Sequence, residues 1–127
     1  MANAAPISVL ILDDEADVRR ILADHLEDEG RFEVRTAETG AEALAVLDAA
    51  PVDVCLVDLR LEGTDGFVFV QEARSRHPSV RFLIHTGSPL EDVRDRARAA
   101  GLTEDHILLK PLPLSTIVRT IRRVAAR

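Results

Sequence analysis

Val52-Asp53-Val54-Cys55-Leu56-Val57-Asp58-Leu59-Arg60-Leu61-Glu62-Gly63-Thr64-Asp65-Gly66 is an apolar run that stops on a carboxylate and opens into a glycine-bearing loop. About five apolar residues between turn formers is the pattern of a strand buried on both faces. Asp58 then stands where that strand leaves the core. In open parallel sheets the carboxyl edge of the strands is where ligands bind, so Asp58 is the leading candidate for a chemical role. Strands often end on aspartate, and the neighbouring strand ends must decide whether Asp58 opens a turn or a site.

Upstream, Ile7 to Leu12 is a second run, apolar but for Ser8, and it stops at Asp13-Asp14-Glu15. Val18, Ile21, Leu22 and Leu26 then recur at helical spacing until Gly30 supplies a stop. Phe32-Glu33-Val34-Arg35 alternates apolar with charged, which predicts a strand with one wet face at a sheet edge. Thr39-Gly40-Ala41-Glu42 has the spacing of a capping box and opens a helix with Leu44 and Leu47 on its inner side.

Downstream, Phe67, Val70 and Ala73 mark a helix that ends near His77-Pro78, because the residue before proline disfavours helix. Val80 to His85 is the next strand, followed by Thr86-Gly87. Ser88-Pro89-Leu90-Glu91 predicts a second capping box with proline at the first helical position. Leu90, Val93 and Ala97 face inward on that helix and Gly101 ends it. A short last strand, His106 to Leu109, runs into Lys110-Pro111. Leu114, Ile117, Val118, Ile121 and Val124 line the closing helix, with Arg119, Arg122, Arg123 and Arg127 outside. Glu91, Asp92 and Asp95 balance these arginines, so a solvated face is expected.

Five strands alternating with five helices predict an α/β fold. It is an open doubly wound five-stranded parallel sheet, flavodoxin-like, of strand order 2-1-3-4-5 with five flanking helices and right-handed crossovers. That order puts the half-polar second strand at an edge. It also brings four strand ends side by side, carrying Asp13 and Asp14, Asp58, Thr86 and Lys110. A chain of 127 residues is expected to form a single domain over 1–127, with its core at about 7–126 and no effector domain.

Composition narrows the function classes. Sixteen basic residues against 22 acidic ones give a net charge of −6, which argues against direct binding to nucleic acid or an anionic membrane. The single cysteine excludes an internal disulfide and a cysteine-rich zinc site, as suits a reducing, cytoplasmic setting. Neither a signal peptide nor a membrane span is readable. Without Trp or Tyr, stacking platforms for bases or sugars are nearly absent. His25, His77, His85 and His106 have no metal-ligand spacing and are expected to be structural.

Three carboxylates at one strand edge repel one another, and one lysine does not neutralise them, so a bound hard cation is expected. Magnesium suits such a site, since it takes oxygen ligands and is usually held by one or two carboxylates plus a substrate phosphate. Phosphoryl transfer then needs an in-line nucleophile, a metal, a cation on the equatorial oxygens and a hydroxyl donor. Asp58 can be the nucleophile, giving an acyl phosphate. Lys110 and Thr86 supply the cation and the hydroxyl.

The chain resembles a receiver domain of the response regulator family of two-component signalling, over nearly its whole length. The resemblance rests on Ile11-Leu12-Asp13-Asp14-Glu15, Val57-Asp58-Leu59 with Asp65-Gly66, His85-Thr86-Gly87 and Leu109-Lys110-Pro111. It implies that Asp58 accepts phosphate from a histidine kinase or a histidine phosphotransfer protein. It also implies that Asp14, Asp58 and the carbonyl of Arg60 hold Mg²⁺, Asp13 acting through water. Output is implied on the face of the fourth helix, fifth strand and fifth helix. On this reading the chain is a phosphoacceptor and not a turnover enzyme.

Three positions depart from the family pattern. Glu62 replaces the usual proline, which leaves the loop less rigid; Gly87 replaces alanine; Ile107 replaces the aromatic residue of the usual output switch. The alternatives are a pseudo-receiver acting as a constitutive interaction domain, and a small magnesium phosphohydrolase. The intact acid set speaks against the first. Against the second stand the lack of a second acid two residues after Asp58, of a substrate cap and of an aromatic pocket.

Overall fold

The computed structural model describes residues 5–126. Strand β1 (Ile7–Leu12) is followed by α1 (Ala16–Glu29), β2 (Phe32–Ala37), α2 (Gly40–Ala49) and β3 (Val54–Asp58). Two very short strands, β4 (Arg60–Leu61) and β5 (Thr64–Asp65), precede α3 (Gly66–Arg76). Strand β6 (Arg81–Thr86), α4 (Leu90–Ala99), a 3₁₀ turn (Glu104–His106), β7 (Ile107–Leu109) and α5 (Leu114–Ala125) complete the chain.

The main sheet has the order β2-β1-β3-β6-β7 and every pairing in it is parallel. With β4 and β5 set aside as a separate hairpin, this is the 2-1-3-4-5 order predicted. Alternation within the buried strands sends their side chains to two layers. Leu10, Cys55, Phe82 and Ile84 pack with α2, α3 and α4, while Val9, Leu56, Leu83 and Leu108 pack with α1 and α5. Each fully buried aliphatic side chain contributes about 1.5–3 kcal/mol, so the two layers fix where the strand ends lie. Strand β2 is the edge, with half its residues in partial contact with solvent.

Three local expectations change. Ile21 is 53% exposed, and the core face of α1 is Leu22 and Leu26. Thr39 caps α2 through the Glu42 N–H as expected, but the Glu42 carboxylate accepts from the Glu38 N–H, one residue before the cap. Ser88 makes no capping box: Pro89 occupies the N-cap of α4, and the Ser88 N–H donates to Thr86 Oγ1 at 3.1 Å. The arginines of α4 and α5 also pair across elements, Arg94 with Glu104, Arg96 with Asp65 and Arg122 with Glu29. Arg127 lies outside the described residues.

Candidate functional site

Asp58 is the last residue of β3 and is 5% exposed. Immediately after it the chain makes the β4–β5 hairpin, pairing Arg60 with Asp65 and Leu61 with Thr64. Gly63, at φ +80°, supplies the turn. Gly66 closes the loop by donating its N–H to Leu59 at 3.2 Å. A Cβ on Gly66 would sit 2.9 Å from the Asp58 carbonyl, so only glycine lets the chain pass that close. The loop that carries Glu62 is a paired hairpin. Asp65 then caps α3 by accepting from the Phe67 N–H at 2.8 Å.

The acids converge as predicted. One oxygen each from Asp13, Asp14 and Asp58 lies within 4.8 Å of the others. Burial raises the Asp13 pKa to about 6, with the Glu15 N–H lowering it and the Asp58 charge raising it. Burial also raises Asp58, against the lowering effect of Lys110 and of the Arg60 N–H. Lys110 Nζ stands 3.8 Å from Asp58 Oδ1, and the Arg60 N–H donates to the same oxygen at 3.3 Å. Among the described residues no hydrogen bond reaches Asp58 Oδ2.

Thr86 ends β6 and is 1% exposed. Its hydroxyl accepts the Ser88 N–H, which leaves its own proton free to donate. Glu15, Asp58, Arg60, Gly87 and Lys110 line an open cavity of about 380 Å³. The strand ends thus bring together Asp13, Asp14, Asp58 and Lys110, with Thr86 on the neighbouring strand and the Arg60 main chain in the hairpin.

A profile of the response regulator receiver domain matches residues 9–122. The chain belongs to that family. As a receiver domain of two-component signalling it is a signalling module, and the pseudo-receiver alternative is not favoured. It is 31% identical over 119 residues to the sensor histidine kinase RcsC of Escherichia coli, covering 94% of this chain and 12% of that protein. The receiver thus spans about an eighth of that relative's length. The chemotaxis protein CheY4 of Vibrio cholerae shares the fold at TM-score 0.86 and 32% identity, over 94% of this chain and 99% of that one. A response regulator of Burkholderia pseudomallei, solved with a phosphorylated aspartic acid, calcium ion and citrate, matches at TM-score 0.82 and 28% identity, over 94% and 69%.

Two features of the receiver were not readable beforehand. The His85 Nε2 is buried without a hydrogen-bond partner among the described residues, and burial, then Lys110, lowers its pKa to about 4, so it is neutral beside the site. Asp65 also links the hairpin to α4: Arg96 pairs with its carboxylate and lies 4.8 Å over the Phe67 ring. Burial raises the Asp65 pKa, but Arg96 and the Phe67 N–H outweigh it and lower the net value.

Proposed function

We propose that this receiver takes a phosphoryl group onto Asp58 from a phosphohistidine of a histidine kinase or a histidine phosphotransfer protein. The observation that carries the reading is the convergence of Asp13, Asp14 and Asp58 within 4.8 Å, with Lys110 3.8 Å from Asp58. One lysine leaves that cluster with excess negative charge, and its donors are all oxygen, which fits a hard divalent cation such as Mg²⁺. Asp14, Asp58 and the Arg60 carbonyl would hold it, with Asp13 acting through water. Bound there, it offsets the charge of the incoming phosphoryl oxygens.

The chain's own residues do the rest. Asp58 Oδ2, free of hydrogen bonds among the described residues, forms the new P–O bond. The donor's P–N bond breaks as it forms, and the imidazole leaves with the electron pair. Lys110 pairs with a phosphoryl oxygen and the Thr86 hydroxyl donates to another. The Burkholderia relative, with its phosphorylated aspartic acid, supports an aspartate as the acceptor.

Beside Lys110, Val18, Ile21, Leu22, Leu112, Leu114 and Ile117 line a cleft of about 420 Å³ between α1 and α5. The exposed Ile21 makes it a fitting seat for the apolar side of a donor helix. Output is assigned to the α4, β7 and α5 face, the whole chain to one receiver unit, and the setting to the cytoplasm. No described helix is long and apolar enough to cross a membrane.

Incubation with acetyl phosphate or phosphoramidate and Mg²⁺, followed by intact mass measurement, tests the reading. One added phosphoryl group is expected. An unmodified protein would point to a constitutive interaction domain, and steady release of phosphate from many esters to a phosphohydrolase.

A further inference from the structure

Strand β1 ends at Leu12, so the carbonyl of Asp13 has no ladder partner although Asp13 itself is 2% exposed. A buried orphan carbonyl is costly. Here it accepts from Arg19 Nη1 at 2.7 Å. The Arg19 main-chain N–H donates to the Glu15 carbonyl at 3.1 Å, and the Glu15 N–H donates to Asp13 Oδ1 at 2.9 Å. The Arg19 side chain therefore ties the Asp13 end of the acid loop to α1, while its main-chain N–H closes the first turn of that helix on Glu15. Its other nitrogen, Nη2, lies 3.6 Å from Glu38 Oε1 at the end of β2. The Arg19 side chain is 17% exposed, largely fixed by its surroundings.

We propose that Arg19 is a positioning residue for the divalent-cation site, holding the Asp13–Asp14–Glu15 turn so that the two aspartates face Asp58. The proposal rests on the metal-dependent reading above. Charge alone predicts the opposite, since removing a cation near a metal site should tighten metal binding. Two observations favour position over charge. Glu38 stands against the guanidinium, and the cation that acts on the Asp13 carboxyl is Lys110. The hydrogen bond of Arg19 goes to main chain, where it sets geometry. Groups that orient metal ligands typically contribute 10–100-fold in affinity.

The test is Mg²⁺ affinity by calorimetry, with Mn²⁺ binding by electron paramagnetic resonance as a second readout, on the 127-residue wild-type chain, R19Q, R19K and D14N. Circular dichroism melts establish that each variant is folded. R19Q should bind about tenfold more weakly, at the lower end of the range for such groups because Arg19 reaches Asp13 through its main chain. R19K should recover part of the loss, since an ammonium can reach the Asp13 carbonyl but cannot also span to Glu38 as the planar fork does. A folded R19Q that binds Mg²⁺ as well as wild type, or better, overturns the role of Arg19. Should R19Q not fold, an R19K affinity indistinguishable from wild type overturns it instead. A wild type that binds no more Mg²⁺ than D14N overturns the metal reading itself, and the role of Arg19 with it.

Discussion

Along one strand edge, the β1 and β3 ends and the β6 and β7 ends are built differently. On the acid side, directional bonds hold the groups: the Asp13 carbonyl by Arg19, its carboxylate by the Glu15 N–H and Asp58 by the Arg60 N–H, with Lys110 as an ion-pair partner at 3.8 Å. On the β6 and β7 side, the Ile107 side chain contributes packing alone within the larger core cluster, and the Thr86 hydroxyl has a single backbone donor. Mutually repelling carboxylates keep their spacing only if hydrogen bonds enforce it. Packing is less directional, so movement on phosphorylation is expected where packing dominates.

The largest effect should come from breaking the acid side at its centre. Asp58→Asn is nearly isosteric but has no carboxylate to form the acyl phosphate, so incorporation should fall to nothing while the melting profile persists. Phosphate incorporation comparable to wild type, read by intact mass, would refute the assignment.

The acid side should also reveal its repulsion through pH. The folded pKa of Asp13, about 6, lies above the unperturbed 3.8, so the folded state takes up the proton more readily than the unfolded state. This stabilisation is complete below the unperturbed value and is lost as pH rises through 6. Asp13 should therefore add stability to the metal-free protein between pH 7 and pH 5, towards a limit of roughly 2–3 kcal/mol at lower pH, while His85, held at about 4 against an unperturbed 6.5, removes stability over the same window, so the Asp13 share is read as the difference between wild type and D13N. Asp65, whose pKa is lowered, contributes in the opposite sense only below that window. Saturating Mg²⁺ should abolish the Asp13 share, since it competes with protons for the ionised acids. Urea unfolding of wild type and D13N at both pH values, with EDTA and with Mg²⁺, measures it, and a metal-free wild type that gains no stability relative to D13N between pH 7 and pH 5 would contradict the prediction.

The β6 and β7 side should respond more weakly. Arg96 links Asp65 and Phe67 to α4, but the pair is half-exposed, so R96Q should cost no more than about 1 kcal/mol of stability. Beryllofluoride should shift resonances from the metal loops into residues 86 to 110. In R96Q the α4 part of that response should shrink. An unchanged α4 response in R96Q would place transmission wholly in Thr86 and Ile107, and changes confined to the metal loops would refute transmission to this face.

The same contrast explains what was readable in advance. The runs ending at Leu12 and Asp58 carry uninterrupted apolar periodicity, so their ends, and the acids that follow, could be placed residue by residue. The β4–β5 hairpin has two-residue strands and therefore no periodicity to detect. Ser88 has capping-box spacing, but Pro89 takes the cap and Thr86 takes the Ser88 N–H, a competition that depends on where β6 stops. The bond from Arg19 to the Asp13 carbonyl joins a side chain to main chain, and spacing does not encode it. The exposure of Ile21 depends on how α1 rolls against α5, which its own pattern leaves open.

The smallest effect expected sharpens the comparison at the boundary of the two sides, where Arg60 faces the cavity shared with Gly87 and Lys110. Hydrolysis needs a water in line with phosphorus, opposite the Asp58 oxygen. The exposed Arg60 side chain is long enough to cover that approach and to pair with a phosphoryl oxygen. Its rivals for pairing are accounted for: Asp65 is taken by Arg96, and among the described residues no carboxylate, Glu62 included, holds Arg60. Ser88 donates its N–H to Thr86, and its side chain is too short to orient a water as a longer amide or acid would. Slow self-dephosphorylation is therefore expected. A solvent-exposed contact of this kind is worth up to about 1 kcal/mol, so Arg60→Ala should shorten the acyl-phosphate lifetime by no more than about fivefold. Decay of the phosphorylated species in Mg²⁺, followed by intact mass for both proteins, measures it. Equal lifetimes, or a longer one in the variant, would show that the in-line approach is guarded by the fixed groups of the acid side and not by this side chain.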